Sequence, residues 1–326
     1  MKVSVLGAAG YAGGELLRLV QDHPELELAQ ALSRRHAGRP VGEVHPNLHH
    51  LGMVFHPPAE LEPVDTAFLA LPAGAAVEAE PMVGERAETI IDLSPDFRAG
   101  ARSASGEAYR TGLPELFADD LAGARRISVP GCMATAAVLA LAPLQRAGLV
   151  HGDVVVDALA GSSGSGAEPG PASHHAERAR AFRVYRPAGH RHEAEIAALA
   201  GVRARMTVTA VPAVRGVQVL CHVTPPRPAT RPDVLRVLRD AYRDSPFVRL
   251  VTRGRGVHRL PDPQFLSGSN FVDIGCAVDD DGRRIVLVAA LDNLVKGAAG
   301  GGVQSLNVAR GLPETAGLGF PGLHPA

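Results

Sequence analysis

A glycine turn at the very start of the chain constrains the fold more than any other feature. The apolar run Val3–Leu6 breaks at once into Gly7-Ala8-Ala9-Gly10-Tyr11-Ala12-Gly13. Glu15–Gln21 follows with helical spacing, Leu16, Leu17, Leu19 and Val20 forming one apolar face. A strand, a glycine turn and a helix in that order have the parts of a pyrophosphate cradle. Glycine permits a tight turn and close approach of backbone N–H groups, and the helix N-terminus adds positive potential. The spacing is GxxGxxG rather than GxGxxG, so Gly7, Gly10 and Gly13, with Tyr11 and Ala12 between them, are candidate cofactor contacts. A ligand-free strand–helix turn would carry the same glycines.

Further apolar runs at Leu26–Leu32, Thr66–Leu71, Thr89–Leu93 and Ile127–Val129 alternate with helical or proline-containing segments. That alternation predicts an α/β dinucleotide-binding domain of the Rossmann type, a parallel sheet with helices on both faces. At the end of the second strand, where an NAD site usually places an acid on the ribose 2′-OH, stand Ser33, Arg34 and Arg35. These suit a 2′-phosphate, which favours NADP(H). Plain surface arginines at a strand end are the alternative.

The pattern changes beyond Gly148. Val154–Ala160, Arg205–Val211, Val217–Thr224 and Ile285–Leu291 are β-branched runs, with a helix expected near Arg231–Arg243. They predict an α+β domain on a mixed or antiparallel sheet. A last helix is expected over Asn293–Ala309, returning to the first domain. The expected division is therefore 1–131 with 293–326 for the nucleotide, and 132–292 for the substrate. A chain of 326 residues, 46 % of them hydrophobic, is ample for two cores.

A formal net charge of −1, with no tryptophan, offers no general attraction to nucleic acid or to anionic membrane. No apolar run reaches the roughly 18 residues a membrane helix needs. Three cysteines, at 132, 221 and 276, form no CxxC pair and no even disulfide framework, which points to a reducing compartment. The first residues enter a strand directly, leaving no room for a signal peptide, so the expected location is the cytoplasm.

Among the cysteines, Cys132 differs in placement. It lies in Val129-Pro130-Gly131-Cys132-Met133-Ala134, between a strand and an apolar helix over Met133–Leu144. A helix N-terminus favours a thiolate, and Gly131 leaves space for an incoming substrate. Cys221 and Cys276 sit inside strand-like runs and read as structural. Downstream, Gly189-His190-Arg191-His192 is followed by Glu195. On a helix, His192 and Glu195 share a face, and the carboxylate can orient the imidazole. The H-x-H stretch would be half a zinc site, but no suitably spaced Cys or His completes it, so no metal is expected.

Five segments then occur in one order over nearly the whole chain: Gly7–Gly13, Asp92-Leu93-Ser94-Pro95-Asp96-Phe97-Arg98, Pro130-Gly131-Cys132, Gly189–His192 and Asp292-Asn293-Leu294-Val295-Lys296-Gly297. Together they resemble the N-acetyl-γ-glutamyl-phosphate reductase family, relatives of aspartate-semialdehyde dehydrogenase. Pro171–Arg178, Val184–His192, His45-Pro46-Asn47-Leu48 and the tail Phe320–Pro325 resemble its lysine-biosynthesis branch, the aminoadipate 6-phosphate reductases whose substrate rides on an amino-group carrier protein. Met133-Ala134 departs from the Tyr-Pro of the arginine-pathway enzymes, and Ala73 from a frequent histidine.

The resemblance implies NADPH-dependent reduction of an acyl phosphate to a semialdehyde through a Cys132 thioester, with His192 as the acid–base group and Glu195 beside it. It makes the α+β domain the catalytic and dimerisation domain and places Asn293 on the nicotinamide side. It puts Ser162 and Ser165 of the loop Gly161–Gly166 at the substrate, with hydroxyls and free backbone N–H groups for a phosphate, and His190 and Arg191 with them. Lys296 serves phosphate or packing. The basic run Arg178, Arg180, Arg183, Arg186 would dock a small acidic carrier protein, or be a solvated face. A homo-oligomer, dimer or tetramer, is expected. The competing expectations are the arginine-pathway substrate, or both substrates, and a non-catalytic NADP-binding regulator.

Overall fold

In the first sheet the central strands are buried on both faces, and in the second several strands bury alternate residues. That contrast sets the two layers of this protein, which a computed structural model describes over residues 1–325. The chain divides into two units, Met1–Pro130 with Ala298–Gly319, and Gly131–Gly297 with the terminal segment from Phe320.

The first unit begins with β1 (Lys2–Leu6), α1 (Tyr11–Gln21), β2 (Glu27–Leu32), α2 (Val41–Val44), β3 (Phe55–His56), β4 (Val64–Leu69) and α3 (Ala75–Gly84). β5 (Ala87–Asp92), β6 (Arg110–Thr111), α4 (Pro114–Leu121) and β7 (Arg126–Ser128) follow. The strands lie in the order β3-β2-β1-β4-β5-β7-β6, every pairing parallel. Strands β1, β4 and β5 bury both faces, the condition a parallel sheet with helices on each side requires. The order reverses beside β1, so the crevice beyond the ends of β1 and β4 is a topological switch point. The helix Gly300–Ala309 completes this core: a β-carbon on Gly302 would already lie 3.3 Å from Phe68 and 3.4 Å from Ile91 and Leu93. A larger residue there would make those side chains give by a few tenths of an ångström, so the glycine eases close packing of the helix on the sheet.

The second unit holds α5 (Cys132–Arg146), β8 (His151–Ala160), α6 (His175–Arg178), β9 (Arg183–Arg186), α7 (His192–Ala200), β10 (Ala204–Ala210) and β11 (Val217–Thr224). It continues with α8 (Arg231–Tyr242), β12 (Val248–Leu250), β13 (Val272–Val278) and β14 (Ile285–Leu291). Their order, β12-β13-β14-β11-β8-β10-β9, is mixed: β8 and β10 run parallel, β11 antiparallel to both β8 and β14. Alternate burial along β8, β10 and β11 matches a sheet with one covered face. The cover is α5, whose residues from Met133 to Leu144 are all buried. A capping box, Thr230 with Asp233, starts α8.

Two expectations need correction here. The segment from Asn293 does not open as an α-helix: Val295–Ala299 is a π-helical turn, and the α-helix starts at Gly300. The boundaries also differ from 131/132 and 292/293. Residues 293–297 stay with the second unit because Asp292 accepts from Gly268 N at 2.7 Å and Asn293 from Gly216 N at 2.7 Å. The terminal segment joins the same unit, where Phe320 packs on Gly268 and the His324 ring lies 5.0 Å from that of Phe265.

Candidate active site

In the first unit the glycine turn closes as its sequence requires. Gly7 takes φ +78°, and a β-carbon there would lie 2.2 Å from Ala70 O; one on Gly13 would lie 2.3 Å from Gly7 O. Both positions therefore admit only glycine. Gly10 has room, and it caps α1, whose first residues are Tyr11 and Ala12. His45 braces the turn, its Nε2 2.8 Å from Ala8 O, and burial holds its pKa below the usual histidine range. At the end of β2, Ser33 is buried, with its hydroxyl accepting from His36 N, while Arg34 and Arg35 are exposed. The residues fit a dinucleotide: a cradle any side chain would fill, a helix start behind it, and two exposed cations beside it.

The Asp92–Arg98 segment supports the same sheet edge. Asp96 accepts from Gly74, Ala76 and Val77 N–H groups and so satisfies the start of α3. Asp92 is wholly buried; desolvation pushes its carboxyl up to about 7, against hydrogen bonding from Ser94 and the charge of Arg98.

In the second unit Cys132 is the first residue of α5, partly exposed, behind an extended Gly131. Gly131 N donates to Glu195 Oε2 at 2.8 Å, and Glu195 Oε1 stands 3.7 Å from His192 Nε2. Glu195 thus binds the backbone before the cysteine with one oxygen and faces the imidazole with the other. His192 and Glu195 lie three apart near the start of α7, as their spacing predicts. His192 N donates to His190 Nδ1 at 3.2 Å, and the two rings meet edge to face at 4.5 Å. Burial, with Arg191 and Arg186 adding to it, pushes His190 down to about 4, so it is a neutral acceptor. Arg191 is exposed. Among the cysteines, Cys221 and Cys276 are buried within strands, and burial pushes the Cys221 thiol up to about 12.

Asn293 is buried, its Oδ1 accepting from Gly216 N and its Nδ2 donating to Ser163 Oγ at 3.0 Å. It therefore pins the loop that holds Ser162 and Ser165. That loop differs from expectation: its N–H groups are not free. Gly161, Ser162 and Ser163 donate to Gly216, Ala213 and Val214 carbonyls, each at 2.9 Å. Ser165 is exposed, Ser162 partly so, and Lys296 is wholly buried. The basic run also divides: Arg180 and Arg186 are exposed, while the Arg178 guanidinium turns inward to Ala160 O. Among the described residues no His/Cys/Asp/Glu group could hold a metal ion, and no helix is long and apolar enough to cross a membrane.

Residues 2–124 match the semialdehyde dehydrogenase NAD-binding domain, and residues 132–293 match the semialdehyde dehydrogenase dimerisation domain. The chain belongs to the semialdehyde dehydrogenase family. Among its family relatives, a Deinococcus radiodurans protein named LysW-L-2-aminoadipate 6-phosphate reductase is 44 % identical, covering 99 % of this chain and 98 % of its own. A Thermomicrobium roseum relative named for the same reductase is 46 % identical over 100 % of this chain and 99 % of its own. A Haloarcula marismortui relative, 44 % identical over 99 % of this chain and 97 % of its own, is named for both the aminoadipate and the L-glutamate phosphates. Among family structures, aspartate semialdehyde dehydrogenase II of Vibrio cholerae superposes with a TM-score of 0.71 at 18 % identity, covering 94 % of this chain and 97 % of that one. The Candida albicans enzyme with NADP gives 0.70 at 18 %, with the same coverage. These two share the fold.

Sequence reading missed three semialdehyde dehydrogenase residues. Asp292 is wholly buried and accepts from Leu294 N, Val295 N and Gly268 N, which folds the turn beyond it. Gly297, in that turn, packs directly on Cys132. Tyr185 shows in its phenol, raised by burial and then by Cys132. The Asp-Asn-Leu pattern was a turn signal for the first; nothing local marked the other two.

Proposed function

We propose that this protein reduces an acyl phosphate to a semialdehyde through a thioester on Cys132, with NADP(H) as cofactor. The acyl group is the 2-aminoadipyl group carried on a small acidic amino-group carrier protein. The observation that carries the reading is the placement of Cys132: first in a helix, partly exposed, and backed by Gly131, whose N–H is held by the Glu195 that faces His192. Full-length similarity to reductases named for that substrate supports the acyl group, and exposed Arg34 and Arg35 support the 2′-phosphate.

The Cys132 sulfur forms the bond to the acyl carbon as the bond to the phosphate oxygen breaks, the phosphate leaving with that electron pair. The helix start favours charge on the sulfur before attack and when the aldehyde departs. His192 takes the thiol proton, gives it to the oxygen left negative by hydride addition, and takes it back as the carbon–sulfur bond breaks, the electron pair leaving on sulfur and the carbonyl re-forming. When bound, a reduced nicotinamide supplies hydride. Glu195 holds His192 and the α5 start together; Asn293 fixes the loop at Ser162–Ser165.

Exposed Arg180 and Arg186 on the edge beside β9, with Phe182 77 % exposed, fit capture of an acidic carrier. A homo-oligomer forms through the open face of the second sheet, where Val155, Leu159, Leu220 and Val286 are only partly buried. Three cysteines outside any disulfide fit the cytoplasm.

The test is phosphate-dependent reduction of NADP⁺ with carrier-linked aminoadipate semialdehyde and with acetylglutamate semialdehyde. Wild type should turn over the first at the higher kcat/KM. Cys132→Ser should lose turnover and still bind NADPH; retained turnover would sink the thioester. The Haloarcula relative's double name makes a carrier-linked glutamyl substrate the second reading, and comparable rates on carrier-linked aminoadipate and carrier-linked glutamate semialdehydes would establish it.

A further inference from the structure

Arg178 ends α6, partly exposed as a residue but with guanidinium Nη1 withdrawn from water. Nη2 donates to Ala160 O at 3.3 Å, the carbonyl just before the Gly161–Gly166 loop. Nη1 is buried with no hydrogen-bond partner, and among the described residues no carboxylate pairs with Arg178. Burial, with Arg183 nearby, holds its pKa below the usual arginine range. A buried cationic N–H with nothing to donate to carries a full desolvation cost. Ala160 O is already engaged by Val211 N at 3.1 Å, so the weak bond from Nη2 does not offset it.

Two further observations give the direction. The loop beside Arg178 has spent its first three N–H groups on Gly216, Ala213 and Val214, so it has little left for an anion. Burial raises the Tyr185 phenol, Cys132 raises it further, and Arg191, Arg186 and Arg178 act against them.

We infer that Arg178 is an oxyanion subsite for the acyl substrate, its Nη1 taking a carboxylate or phosphate oxygen beside the Gly161–Gly166 loop. The inference rests on the reductase reading above. It removes Arg178 from the carrier-docking run and places it at the small end of the substrate. A planar guanidinium with one edge fixed on Ala160 offers the other edge to a two-oxygen anion.

The experiment compares wild type with Arg178→Ala and Arg178→Lys in phosphate-dependent NADP⁺ reduction. KM is measured separately for inorganic phosphate, for acetylglutamate semialdehyde and for its α-carboxamide. Arg178→Ala should raise one KM about tenfold or more, with KM for NADP⁺ unmoved. A rise for phosphate names the phosphoryl group as the source. A rise for the semialdehyde, with discrimination against the carboxamide lost, names the carboxylate. Millimolar guanidinium should restore turnover to Arg178→Ala, and Arg178→Lys should fall between the two. If no KM moves more than about twofold, or if both variants melt early and guanidinium rescues neither, Arg178 is a structural residue and the inference is overturned. A wild type without turnover sinks the reductase reading instead. Thermal stabilisation by inorganic phosphate and by acetylglutamate then decides Arg178 alone: loss of either in Arg178→Ala upholds it, and loss of neither overturns it.

Discussion

Gly297 lies against Cys132 so closely that a β-carbon built on the glycine would stand 2.4 Å from the cysteine β-carbon and 3.0 Å from its Cα. Leu291 Cδ1 would close the other side at 3.2 Å. Neither backbone nor β-carbon can swing away as a long side chain would. Gly297→Ala should therefore cost about 1–3 kcal/mol in urea unfolding and displace the sulfur enough to cut kcat more than KM. Removing the opposing carbon in Cys132→Gly/Gly297→Ala should recover part of the stability and none of the activity. Additive losses in the double variant would show that the two residues do not press on each other.

Glu195 accepts from Gly131 N, so its carbonyl-type oxygen matters there more than its charge. Glu195→Gln keeps an acceptor, and its unfolding midpoint should stay near wild type. Glu195→Ala leaves a buried N–H unsatisfied and should lose about 1–3 kcal/mol. If kcat falls equally in both while only the alanine variant is unstable, the charge facing His192 acts in turnover as well. Equal stabilities would remove Glu195 from the α5 start.

Acid should weaken the protein at His190. Its folded pKa, about 4, lies below the unperturbed 6.5, so the unfolded chain takes the proton first as pH falls. The stability from neutral His190 is complete above 6.5 and is lost between 6.5 and about 4. His23 and His45, lowered by burial, act in the same direction. His190→Asn retains an acceptor for His192 N and should flatten the fall in melting temperature from pH 6.5 to 4.5. A parallel curve would place the acid sensitivity elsewhere.

Replacing Arg34 and Arg35 together with alanine should weaken NADPH on the order of tenfold or more. NADH, lacking the 2′-phosphate, should stay within about twofold. Equal losses for the two cofactors, measured by fluorescence titration, would move the ribose away from the end of β2.

The layer plan was legible because its signals are local. Gly7 and Gly13 are forced by close backbone contacts, and the burial of β1, β4 and β5 is written as mostly apolar runs interrupted by Ser4, Thr66 and Thr89. Cys132 at a helix start follows from the Pro-Gly before it and the apolar run after it. What stayed hidden depends on residues far apart in the chain. Gly297 meets Cys132 across 165 positions, and Arg178 meets Ala160 only because β8 ends beside α6. The loop N–H groups of Gly161–Ser163 were taken by carbonyls of Ala213–Gly216, which no property of a Gly/Ser stretch reveals. The π turn at Val295 likewise follows from Asp292 folding the backbone onto itself, against a pattern that reads as an ordinary helix.

The helix from Gly300 has a bearing on synthesis. Phe68, Ile91 and Leu93 are laid down early, yet the surface that covers them is carried by Gly302 and its neighbours. On a ribosome adding about 5–20 residues per second, the first strands wait roughly ten seconds or more for their lid. The segment Gly131–Gly297 emerges in the interval with most of its unit contiguous. The unit begun first is therefore finished last. A nascent chain halted before Gly300 should hold an open first sheet, bind chaperones through it, and release them once the final helix clears the exit tunnel.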